Sequence, residues 1–188
     1  MCTVVMLRRP DHPWPILIGA NRDEMRNRPW KAHARHWPER HDVIAGLDEL
    51  AGGTWMGLND TGVAACILNR HGSLGPMQNK RSRGELVLEA LDHADATDAA
   101  KALSAIDPNA YRTFNLIIAD NRDAWWLALT AAGQETGAGV RAERIPPGLS
   151  MFTAGNRNDP NDTRIATYLP AFDAAHVPDP EAGDWAAW

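Results

Sequence analysis

The chain of 188 residues is 44% hydrophobic and 23% charged, values that suit one folded globular domain and exclude wholesale disorder, collagen and coiled coil. Its longest apolar runs, such as 63–68, fall far short of the ~20 residues a membrane helix needs, and Arg8-Arg9 follows the first apolar run, the reverse of a secretory signal. A cytoplasmic chain without a membrane span is expected. The net charge of −5 hides an asymmetry, because residues 1–41 hold eight Lys/Arg against four Asp/Glu, while the rest holds eleven against twenty. A basic segment on an acidic body suits an anionic small molecule rather than nucleic acid. Cys2 and Cys66 are too few for a disulfide scaffold and have no CxxC spacing for zinc.

In chain order, 2–8 and 16–22 are short β-rich runs joined by Pro10-Asp11-His12-Pro13-Trp14-Pro15, which predicts an N-terminal hairpin. Residues 24–42 mix Arg, His, Trp and Pro without periodicity and read as an extended loop. Strands follow at Val43–Gly46, Thr54–Leu58 and Gly62–Leu68, the last two joined by a turn at Asn59-Asp60-Thr61-Gly62. Ser82-Arg83-Gly84-Glu85 has the form of a capping box and predicts a helix starting at Ser82, with Leu86, Val87, Ala90 and Leu91 on one face. Ala-rich 97–106 predicts a second helix, closed by Asp107-Pro108. Strands return at Thr113–Ala119, Ala124–Leu129, Val140–Arg144 and Ser150–Thr153, and a last helix is expected at Thr163–Leu169. The reading is a single domain over 1–188, with a loose tail from about residue 174. Strands, helices, strands and a final helix give an α+β order of stacked sheets with helices outside.

Cys2 stands out chemically. Removal of Met1 would expose its thiol beside a free α-amino group, a nucleophile with its own base. The apolar strand that follows would hold this end inside a sheet. Asn21-Arg22-Asp23-Glu24 ends the returning strand of the hairpin, so antiparallel pairing brings Asp23 back toward Cys2, where a carboxylate would orient an amine. Asn69 and Asn156 also end apolar strands, and their amides are suited to donate to a developing oxyanion. His12, His33, His36 and His41 lie among Pro, Arg and Trp and read as loop residues rather than metal ligands. Cys66, inside an apolar strand, reads as an inert core thiol.

Cys2-Thr3 after Met1, Gly19-Ala20-Asn21-Arg22-Asp23-Glu24, Arg28-Pro29, Gly52-Gly53-Thr54-Trp55-Met56-Gly57, Asn69-Arg70, Ser82-Arg83-Gly84-Glu85 and Phe114-Asn115-Leu116 together resemble the NRDE family, also called the Transport and Golgi organisation family. The resemblance runs from Cys2 to about Asn156. It implies an N-terminal nucleophile hydrolase fold, an αββα sandwich of two antiparallel sheets flanked by helices. It also implies relatedness to the cholylglycine hydrolase and penicillin acylase group. That group has an Arg where this chain has Ala20. Arg22, two residues on and therefore on the same strand face, stands about 7 Å further along.

Two functions are open at this point. The first is a cysteine N-terminal nucleophile amidohydrolase cutting a linear C–N amide of a small acylated substrate. In it Cys2 attacks, Asp23 orients the amine, and Asn69 and Asn156 steady the oxyanion. The second is a non-catalytic carrier on the same fold, because the resemblance implies haem trafficking and acyl-CoA binding. The expected ligand-binding residues are Asn21, Arg22, Glu24, Arg26, Arg28 and Trp55, with the arginines meeting carboxylates or phosphates. The expected partner is therefore a small molecule, an acyl amide, acyl-CoA or haem; no cofactor, metal or nucleic acid is expected.

Overall fold

Residues 2–131 and 139–188 are described by a computed structural model. The chain opens with the hairpin of β1 (Thr3–Arg8) and β2 (Ile16–Asn21), in a register running from Thr3 opposite Asn21 to Arg8 opposite Ile16. The late strand β10 (Gly148–Phe152) pairs with the other edge of β1, Val4 facing Phe152. This makes a three-stranded sheet in the order β10-β1-β2.

The second sheet takes its strands in sequence: β3 (Trp30–Ala34), β4 (Val43–Asp48), β5 (Met56–Asn59), β6 (Ala64–Asn69), β7 (Phe114–Ala119), β8 (Ala124–Leu129) and β9 (Val140–Arg144). Every pairing is antiparallel. All six residues of β7 are buried, which requires cover on both faces. Leu116 and Ile118 pack with α1 (Gly84–Leu91) and α2 (Ala96–Ser104). Ile117 and Ala119 point the other way, against Val4, Met6 and Phe152 of the small sheet. A third apolar cluster seats Ile165 of α3 (Thr163–Ala174) on Val5 and Met151. Three apolar layers between four structural layers make the αββα sandwich expected from the sequence.

Several local expectations need correction. Residues 24–42 are not all loop, since β3 forms the edge of the large sheet and Pro38–Arg40 a short 3-10 turn. All five β3 residues are exposed and their register shifts between Lys31 and Ala34. With no buried face, the strand leaves no alternation in the sequence. β5 starts at Met56 rather than Thr54, because the Thr54 hydroxyl folds back to donate to the Met56 carbonyl at 3.0 Å. The first helix begins at Gly84, not Ser82, and the capping box does not form, because Arg83 stands at the N-cap without a side-chain cap. Ser82 Oγ accepts from the Gly84 N–H at 3.3 Å, whereas the Glu85 carboxylate pairs with Arg81 Nε at 2.7 Å. The last helix runs on to Ala174, through Pro170. Beyond it, Asp179 and Asp184 form an antiparallel bridge, and the Trp188 ring meets Phe172 edge-on at 5.4 Å.

Two of the glycine motifs meet here. A Cβ on Gly53 would lie 2.6 Å from the Gly84 carbonyl carbon. Only glycine lets the Thr54 N–H donate to Gly84 O at 3.1 Å. That close approach fixes the start of α1 beside Trp55.

Candidate functional site

The hairpin register places Cys2 and the end of β2 at the same end of the sandwich. Cys2 Sγ is partly exposed and lies 3.6 Å from the backbone oxygen of Asp23. Asn21 Nδ2 donates to Asp23 Oδ1 at 3.0 Å, and Arg164, from the first turn of α3, contacts Asp23 Oδ2 at 3.2 Å. The same guanidinium donates to Thr3 Oγ1 at 2.9 Å. Arg164 was not legible in the sequence: it stands 141 residues from Asp23, and no local signal links the two. Met1, whose removal the nucleophile reading needs, lies outside the described residues.

Asn69 ends β6 and its side chain has no hydrogen-bond partner among the described residues. Asn156 follows β10 in a polar network. Its Oδ1 accepts from Arg70 Nη2 at 2.7 Å, while Arg70 Nη1 reaches Asn115 Oδ1 at 2.7 Å. Asn115 is fully buried and donates to the carbonyls of Thr153 and Gly155 at 3.0 and 2.8 Å. A buried amide satisfied on both atoms thus ties β7 to the loop after β10 and turns the Asn156 amide with its oxygen toward Arg70. Arg70 and Asn115 lie in motifs that carried the family resemblance, but their partners are far apart in sequence.

A small cavity of about 160 Å³ is lined by Cys2, Asn21, Arg22 and Trp55, with Cys66 and Leu68 behind. Neither Asn69 nor Asn156 lines it. The Arg22 guanidinium sits 4.1 Å from the centre of the Trp55 ring, a cation–π contact between two lining residues, and 3.7 Å from Glu24. Of the other expected ligand residues, Arg28 is engaged, with Nε and Nη2 at 2.8 and 2.7 Å from Asp48 Oδ2. Asp48 also caps the N–H groups of Leu50 and Ala51. Glu24 lies 3.8 Å from Arg28 and accepts from the Met25 N–H, so Glu24 and Arg28 build the loop. Arg26 is exposed. Cys66 is 2% exposed, and burial pushes its thiol up to about 12.

A larger cleft of about 570 Å³ opens between the hairpin and the second sheet, walled by Trp14, Ile16, Ile18, Ile44, Met56 and Leu58. Its size is that of a small-molecule site. His33 and Met56 line both cavities, so the cleft and the Cys2 pocket are neighbours that share a wall. The four histidines do separate work: His33 packs on Trp55, His36 bonds the Ala32 carbonyl, His12 accepts from the Trp14 N–H, and the His41 carbonyl takes Arg35. Among the described residues no three His, Cys, Asp or Glu side chains converge into a metal-binding group. No helix among them is long and apolar enough to cross a membrane.

The model of the Transport and Golgi organisation 2 family matches residues 1–160. A Bos taurus Transport and Golgi organization protein 2 homolog is 36% identical over 149 residues, 76% of this chain and 50% of that protein. The Homo sapiens homolog is 36% identical over 111 residues, 56% of this chain and 38% of that protein. The chain thus spans half or less of the length of these curated relatives. Among solved structures, a Caenorhabditis elegans N-acylethanolamine-hydrolyzing acid amidase ortholog superposes with a TM-score of 0.68 at 14% identity, over 97% of this chain and 80% of that one. That likeness establishes the fold, an N-terminal nucleophile hydrolase-like sandwich.

Proposed function

The chain belongs to the Transport and Golgi organisation 2 family, and on that footing we propose that it is a cysteine N-terminal nucleophile amidohydrolase acting on a linear amide of a small acylated substrate. The observation that carries the reading is the placement of Cys2 at the head of β1, its Sγ at 3.6 Å from the Asp23 backbone, in a pocket that shares His33 and Met56 with a neighbouring apolar cleft. After loss of Met1 the Cys2 α-amine accepts the thiol proton, and Asp23, steadied by Asn21 and Arg164, orients that amine. The sulfur attacks the amide carbonyl, and the oxygen gathers charge; the Asn69 and Asn156 amides, which do not line the Cys2 cavity, stabilise it if the bound carbonyl projects beyond that cavity toward them. The C–N bond then breaks, the leaving nitrogen takes the proton, and an acyl thioester remains on Cys2. Water, deprotonated by the same amine, hydrolyses the thioester and restores the thiol. The cleft accommodates the acyl group, and the cytoplasm is its expected compartment.

The test joins intact mass with an amine-release assay on a panel of N-acyl amides. The mature chain is expected to lack Met1, and amine release is expected to vanish in Cys2→Ala. A retained Met1 with no release across the panel would overturn the hydrolase.

The apolar cleft also favours a second reading, a haem or acyl-CoA carrier on the same fold. In that case the anion contact falls to Arg22 and Arg26, because Arg28 is already held by Asp48. Binding that survives Cys2→Ala and falls with Arg22→Ala, in a chain that releases no amine, is the outcome that reading requires.

A further inference from the structure

Arg83 stands in a motif that the amidase reading leaves unused. Its Nη1 donates to Ser73 Oγ at 2.8 Å and to the Thr113 carbonyl at 3.0 Å. Both acceptors are neutral, and no carboxylate pairs with this half-buried guanidinium among the described residues. Its neighbour Arg112 is likewise bound to carbonyls, those of Gly72, Leu74 and Gly75. A partly desolvated cation without a counter-ion is costly unless an anion arrives to meet it.

The strand registers fix where Arg83 lies. Thr113 immediately precedes Phe114, which pairs with Asn69 at the end of β6. Gly84, next to Arg83, is bonded to Thr54, next to Trp55 of the Cys2 pocket. The apolar cleft runs the opposite way, past Ile16 at the far end of the hairpin from Cys2 and past Ala64 and Ala119 at the far ends of β6 and β7. The cation therefore lies at the nucleophile's end of the sandwich, and the apolar cleft extends toward the other end. Electrostatics agree: burial, and then Arg112, pull the Arg83 guanidinium down to about 10, while Cys2 is close enough to act on it in the opposite sense.

We propose that Arg83 binds a carboxylate on the amine half of the substrate, so that the amide cleaved is an N-acyl amino acid with its acyl chain in the cleft. This rests on the amidase reading for the cleavage, but the anion site makes its own claim on binding. It predicts a preference for acidic over neutral leaving groups. A forked guanidinium suits a carboxylate, and its two remaining nitrogens, Nε and Nη2, have no partner among the described residues.

The test uses the full chain carrying Cys2→Ala, which binds without turnover. Its affinities for N-dodecanoylglycine and for N-dodecanoylethanolamine, the neutral counterpart, are measured by calorimetry. The glycine ligand is expected to bind roughly ten- to a hundredfold more tightly. Adding Arg83→Gln should bring the glycine ligand down to the affinity of the neutral one. Arg83→Lys, which keeps the charge and loses the fork, should fall between, and it serves if Arg83→Gln fails to fold. Equal affinities in the Cys2→Ala protein, no binding of either ligand, or an equal loss of both with Arg83→Gln would overturn the site. Turnover separates the two claims. A preserved preference without amine release by the Cys2-bearing protein sinks the hydrolase and leaves the anion site standing.

Discussion

Alkylation of the two cysteines tests the assignment of nucleophile and core thiol directly. Burial pushes the Cys66 thiol up to about 12, so at pH 8 about one molecule in 10⁴ carries its thiolate. Unfolding releases that penalty, and an ordinary thiol of pKa ~8.5 is about one-quarter ionised at pH 8. Cys66 should therefore gain reactivity by roughly 2,000-fold on unfolding from ionisation alone, before the steric shield of a side chain only 2% exposed is counted. Cys2, partly exposed at the pocket, has no such shield. Iodoacetamide on native protein at pH 8 should stop at one adduct per chain, mapped to Cys2 by peptide mass. Cys2→Ala should take none until denaturant unfolds it, and both thiols should then label in the parent. Rapid native modification of Cys66, or equal rates at the two sites, would refute both the burial argument and the placement of the Cys66 side chain between the sheets.

Asn69→Ala and Asn156→Ala should each lower amide turnover by roughly 10²-fold if they donate to the oxyanion. Their melting should differ: Asn69→Ala should melt with the parent, whereas Asn156→Ala strips Arg70 of an acceptor at 2.7 Å and should cost about 1.5–3 kcal/mol in urea unfolding. Gly46→Ala would set a Cβ 2.4 Å from Cη2 of Trp55, so it should destabilise by about 1–3 kcal/mol and displace the ring from Arg22. An unchanged urea midpoint and tryptophan emission would contradict that packing. Asp162 caps α3 through the N–H groups of Arg164 and Ile165. Burial opposes its charge, but hydrogen bonds from Thr153, Ile165 and Arg164 and the nearby His71 outweigh it and lower its pKa. A lowered folded-state pKa means stability that is complete above the unfolded value of ~3.9 and lost as pH falls through the folded one. The stability gap between the parent and Asp162→Ala should stay level from about pH 7 to 5 and close below about pH 4; a gap that widens in acid would contradict the sign.

What the sequence determined by itself lies where one face of an element differs in polarity from the other, or where a turn is local. The hairpin of β1 and β2, the buried runs of β7 and β8 and the apolar stripe of α1 all meet that condition. With antiparallel pairing they were enough to bring Asp23 back toward Cys2, because that contact follows from a single hairpin register. The tertiary structure decided everything that depends on partners distant in the chain. β3 is paired on one edge and exposed on both faces, so no periodicity betrays it. Arg164 reaches Asp23 across 141 residues and Arg70 reaches Asn156 across 86, and composition carries no record of such pairings. The same holds for the arginines as a group. In sequence they are equivalent cations, yet Asp48 neutralises Arg28, the Trp55 face and Glu24 hold Arg22, and Arg83 meets only neutral oxygens among the described residues. A cation's capacity for a ligand depends on what else its charge already meets, and packing, not the order of residues, sets that.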